Sequence, residues 1–134
     1  MRILVSLGLV LGLSAGADAQ DFIAGAYAAS AELCETARRD GVQAMLEEGE
    51  TVLTAKGLEG IEYHCDFLQV LDDKRVSGWL VTALCEEPGY ASPDLISIVP
   101  RGEGELELTS VVSHAGGNNG NSGLYQLCQG VEAP

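Results

Sequence analysis

Four cysteines, Cys34, Cys65, Cys85 and Cys128, are scattered singly along the chain, and no two of them form a C-x-x-C pair. A tight pair of sulfurs is the starting point of a thioredoxin-type redox centre or a zinc ribbon, so neither is expected. An even number of isolated cysteines in an exported chain reads instead as two structural disulfides. Export is indicated by the first residues: Met1-Arg2, an apolar run from Ile3 to Leu13, and a small-residue stretch from Ser14 to Ala19 in which Ala17-Asp18-Ala19 matches an A-x-A cleavage pattern. The expectation is a signal peptide over residues 1–19, cut after Ala19, followed by one disulfide-stapled domain over residues 20–134. That length suits a single modest core. The apolar run falls short of the roughly 20 residues that span a bilayer. No cysteine stands at the cleavage point and no arginine pair precedes the run, so a periplasmic or secreted product without a membrane anchor is expected.

Charge narrows the partners. Seven Lys and Arg face twenty Asp and Glu, a formal net charge of −13, and the expected cleavage removes only Arg2 and Asp18. An acidic surface repels nucleic acid and anionic lipid and speeds encounters with cationic proteins. The same charge also keeps an exported protein dispersed.

Local pattern predicts a short helix over Ser30 to Asp40, with Ser30 as N-cap, Glu32 in the first turn, Arg38 and Arg39 in the last and Gly41 beyond it. Val42 to Leu46 either extends this helix or begins another. From Glu50 the period changes to two. Ile61, Tyr63, Cys65 and Phe67 alternate with Glu62, His64 and Asp66, and Trp79, Val81, Ala83 and Cys85 share one face of a second strand across the polar corner 72–75. Tyr63 and Trp79 are expected in the core. Further strands are predicted over Leu95 to Val99, Glu105 to Val112 and Leu124 to Cys128, with Leu53-Thr54 as an extra edge. The expected fold is α+β and mainly β: a short N-terminal helix on five or six antiparallel strands in meander order, as a small sheet or partly closed barrel.

Three pairings of four cysteines exist. A hairpin symmetric about residues 73 and 74 sets Cys65 opposite Thr82 and out of register with Cys85. The expected bridges are therefore Cys34–Cys65, tying helix to sheet, and Cys85–Cys128, tying the last strand to a middle one.

Catalytic motifs are missing. Two histidines and no G-x-S-x-G turn argue against a nucleophile triad, and no pair of acids can be singled out as a glycosidase dyad, so the chain is expected to be no enzyme and to need no cofactor. Glu62, His64 and Asp66 share a strand face and form one candidate metal set. Side chains two apart on a strand stand about 7 Å apart, too far to chelate one ion without a neighbouring strand, and such a face also reads as a solvated surface. Residues 116–123, GGNNGNSG, are too polar and glycine-rich to pack a core and lack the aspartates of glycine-rich calcium repeats. They predict a loop between strands, which supplies candidate binding residues Asn118, Asn119, Asn121, Ser122 and, just after it, Tyr125. His114 precedes the loop as a surface residue.

Gly25-Ala26-Tyr27, Cys34 in a helix, Leu53-Thr54 with Gly57, Glu62-x-x-Cys65-x-Phe67, Trp79, Cys85 before Pro88-Gly89, and Tyr125-x-x-Cys128 form a pattern across most of the mature chain. It resembles small exported bacterial proteins of unknown function with four cysteines. More loosely, the chain is similar to periplasmic inhibitors of lysozymes and secreted proteases, whose active loop carries a Ser-Gly step followed by tyrosine; here Ser122-Gly123-Leu124-Tyr125 is one residue too short. The first resemblance implies architecture and a periplasmic address only; acidic steering makes the leading expectation a non-catalytic periplasmic binding protein, an inhibitor of a cationic enzyme such as a lysozyme or protease, with the loop from Gly116 to Tyr125 as recognition element. The alternatives are a module for a small ligand or cation, or an unspecialised envelope protein.

Overall fold

The computed structural model describes residues 22–112 and 120–134; the expected signal segment, His114, Asn118 and Asn119 lie outside them. Among the described residues the chain forms β1 (Tyr27–Ala28), α1 (Ala31–Asp40), α2 (Val42–Glu47), β2 (Val52–Thr54), β3 (Gly57–Glu59), β4 (His64–Asp72), β5 (Trp79–Glu87), β6 (Tyr90–Gly102), β7 (Glu105–Ser110) and β8 (Gly123–Leu127). Each strand pairs antiparallel with the next, and β1 also pairs with β8, so the sheet closes into an eight-stranded barrel. Tyr27 lies opposite Leu53 on one side and Leu127 on the other.

Alternation along the strands separates an apolar interior from a polar exterior. On β7, Leu106 and Leu108 point inward while Glu105, Glu107 and Thr109 point out. Val81, Ala83, Ile96, Ile98, Leu53, Leu58 and both rings of Tyr27 and Tyr125 fill the interior. Phe22 caps one side against Trp79, ring centroids 5.3 Å apart, and Trp79 and Tyr63 are half-buried at the core margin.

The helices form a second core on the outside of the closure. The Ser30 hydroxyl accepts from the Leu33 N–H at 3.3 Å and starts α1, as expected. Gly41, at φ 93°, ends it by donating its N–H to the Ala37 carbonyl, and α2 begins at the next residue. Cys34, Ala37, Met45 and Leu46 then pack on Ala26, Ala28, Val52 and Cys128.

Three strands beyond the expectation are β1, β2 as a full ladder member, and β3. Each has two or three residues, almost all buried, so none shows a period of two. Their contact is close: a Cβ at Gly57, whose φ is 148°, would collide with the Cys65 carbonyl on β4. Ile61 is not on the inner face of β4 as expected; it precedes the strand and is exposed.

The disulfide expectation is corrected: the bridges are Cys34–Cys128 and Cys65–Cys85. The hairpin between β4 and β5 does not turn at 73–74. The Asp73 side chain and carbonyl accept the N–H groups of Arg75 and Val76, opening a six-residue loop that begins after the Asp72–Trp79 pair. A register shift between Phe67 and Gln69 leaves Leu68 bulged outward, and below it Cys65 sits directly opposite Cys85. Cys128 follows β8, whose neighbour β1 leads into α1, and its N–H donates to the Ala26 carbonyl at 2.8 Å; that places it against Cys34.

A non-reducing peptide map is expected to show these two crosslinks. Loop entropy alone assigns about 4–5 kcal/mol to the bridge spanning 94 residues and about 3 kcal/mol to the one spanning 20. Denaturant unfolding of the paired Cys→Ala variants should therefore show the larger loss for Cys34 with Cys128.

Candidate functional site

One end of the barrel interior is polar. Asp94 on β6 and Asn121 just before β8 both point inward, 5% and 6% exposed. The Asn121 amide donates to the Asp94 carboxylate at 2.9 Å and lies 3.2 Å and 3.5 Å from the sulfurs of Cys65 and Cys85. The Tyr63 hydroxyl donates to the Asn121 side-chain oxygen at 2.6 Å. Asp94 also accepts from the Ser110 hydroxyl at 2.6 Å and from the Leu95 N–H at 2.7 Å. Neutral donors thus hold this carboxylate, and every described side-chain N or O that is fully buried has a partner. Burial pushes the Tyr63 phenol up to about 12, with the negative charge of Asp94 adding to the shift against the bond to Asn121. Burial likewise raises Tyr27 and Tyr125.

These contacts relocate part of the expected recognition loop. Asn121 and Tyr125 are buried, and the Ser122 hydroxyl accepts the Ser110 N–H at 2.9 Å, so all three fasten the end of the loop to the barrel and present nothing at a tip. Asn121 is a polar core residue, a role that a glycine- and asparagine-rich string does not disclose.

The outer face beyond this network is strongly acidic. The end of α2, the 49–51 segment, the 60–63 turn and the start of the β5–β6 connection surround an open cleft of about 450 Å³. Leu46, Ile61 and Pro88 supply its apolar surface, Glu47, Glu50, Glu62 and Glu87 its charge, and no Lys or Arg lines it. The described arginines are engaged elsewhere: Arg38 with Glu35, Arg39 with Asp40, Arg75 with Asp73 and Arg101 with Glu107. Among the described residues no ion pair is made by Glu47, Glu50, Glu62 or Glu87, so a cation entering the cleft is attracted by all four.

Next to the cleft, the sheet brings His64, Asp66 and Glu86 together. His64 and Asp66 stand two apart on the outer face of β4, and Glu86 is the cross-strand partner of His64 on β5. The neighbouring strand that the expected metal set required is thus present, but it replaces Glu62, which lines the cleft instead. Glu86 was hidden because the hairpin register decides its place. A second surface lies at the far end of the same hairpin, where Leu71, Val76, Trp79, Leu80 and Val99 line a shallow apolar pocket of about 330 Å³.

Comparison with protein-family models, with curated proteins and with solved structures finds no match.

Replacing Asn121 by Ala strips a donor from Asp94 and an acceptor from Tyr63, and should cost about 1–3 kcal/mol in denaturant unfolding. The Tyr63 phenol is neutral when folded and ionises later than in the unfolded chain. Stability should therefore be complete below pH 10 and fall as pH rises from 10 toward 12. Tyrosinate absorbance should show a late component that Tyr63→Phe reduces, the rest belonging to Tyr27 and Tyr125.

Proposed function

We propose that this is a non-catalytic binding protein of the cell envelope or the extracellular space, whose acidic cleft takes basic side chains of a cationic exported protein, with basic lysozymes and proteases as the target class. The observation that carries this reading is the cleft itself: four carboxylates around apolar side chains, with no basic residue in the lining. A Lys or Arg entering such a place pairs its charge with the rim while its methylenes cover Leu46 and Ile61. The net charge of −13 extends the attraction beyond contact distance, which favours a protein partner over a small neutral ligand.

Two further features support the reading. The barrel interior is filled by side chains, leaving recognition to outer surfaces. Two disulfides suit an oxidising compartment.

The test uses the purified protein against a panel of purified basic lysozymes and proteases, followed by surface plasmon resonance and by enzyme inhibition. Binding of at least one member, with an on-rate that falls steeply from low to physiological ionic strength, is expected. The combined replacement Glu47→Gln, Glu50→Gln, Glu62→Gln and Glu87→Gln should lower that on-rate by at least about tenfold. Failure to bind any member at low salt, or equal binding by the variant, would overturn the reading.

A further inference from the structure

From the cluster on the β4–β5 ladder we infer that His64, Asp66 and Glu86 form an exchangeable site for a divalent ion of the zinc class. The ligand atoms these three residues offer all lie within 4.8 Å of one another, and the His64 Nε2 is 2.9 Å from the Glu86 Oε2. A tetrahedral ion with bonds of about 2.1 Å holds neighbouring ligand atoms about 3.4 Å apart, so small side-chain rotations gather this set around one centre. No backbone movement is needed, because the three residues stand on two hydrogen-bonded strands whose register the Cys65–Cys85 bridge, one position away, locks.

The chemistry of the set selects the ion. One imidazole nitrogen with two carboxylates is the mixture that zinc accepts, and three protein ligands leave a fourth position open. Calcium and magnesium are hard ions that prefer oxygen ligands and gain little from the imidazole nitrogen, which zinc binds well. Both acids lack a Lys or Arg ion pair among the described residues, since the four such pairs there use other acids. A divalent ion would therefore relieve repulsion between two carboxylates on an already acidic face. The open position faces solvent: His64 and Glu86 are each close to half-exposed, and the shallow pocket beside them is lined by Glu62 and Glu87. Such a site loads and unloads on the folded protein and is not a folding determinant. It does not depend on a cationic protein partner, because Glu47 and Glu50 take no part in it.

Isothermal titration of the purified protein with zinc alone tests the site, with melting temperature as the check on folding. One zinc per chain with a micromolar dissociation constant is expected, little affected by excess calcium. His64→Ala, and separately the double change Asp66→Asn with Glu86→Gln, should weaken binding by at least about tenfold while leaving the melting temperature of the zinc-free protein unchanged. His114→Ala, the control at the other histidine, should bind as the parent does. Unaltered binding in His64→Ala, binding that follows His114 instead, displacement by equimolar calcium, or no stoichiometric uptake would each overturn the assignment.

Discussion

A two-residue strand closes this barrel. Tyr27 and Ala28 bond to β8 on one side, and Tyr27 pairs with β2 on the other; without them β2 and β8 would be the edges of an open sheet. So short a ladder supplies few hydrogen bonds, and its hold comes from what surrounds it. Tyr27 is buried in the barrel and Ala28 in the helical core, so the strand is wedged between two apolar layers. The Cys34–Cys128 bridge then ties the helix that follows β1 to the residue that follows β8, spanning the closure covalently. Closure, helix packing and the first disulfide are one feature seen from three sides.

The second disulfide organises the other half. Cys65 and Cys85 face inward as a direct cross-strand pair, and the sulfurs stand where Asn121 reaches them. Asn121 passes the contact on to Asp94 and Tyr63, and Ser110 ties Asp94 to β7. Polar groups in a small core cost stability unless all are bonded. Here the network is complete, and it fixes how the end of the 113–122 connection returns to the barrel. The same register sets His64 beside Glu86 on the outer face. A single ladder therefore determines both the inner polar network and the outer ligand cluster.

Charge is distributed with similar economy. The four described arginines pair with acids on α1, at the β4–β5 loop and across β6 and β7, and none of them pairs with an acid of the cleft or of the His64 cluster. Both proposals place binding on the surface at one end of a filled barrel, where a rigid sheet displays carboxylates around small apolar areas. Both readings of that face, for basic side chains and for a divalent ion, rest on the same electrostatic imbalance.

Much of this was legible in the residues themselves. The presence of two disulfides, the capped helix from Ser30, the long alternating strands and the acidic character follow from local pattern, because capping, period and charge are properties of neighbours in sequence. The short strands were not legible, since two or three buried residues carry no period. Nor were the disulfide partners or Glu86 as a ligand, because both depend on a hairpin whose loop is widened by Asp73 and whose ladder is shifted at Leu68. Asn121 reads in sequence as part of a recognition loop, yet it is a core residue because the barrel closes around it. Local sequence determined the capped helix, the long strands and the acidic charge; the tertiary structure alone decided which cysteines meet and which carboxylates gather, because register and closure are set by contacts between residues far apart in the chain.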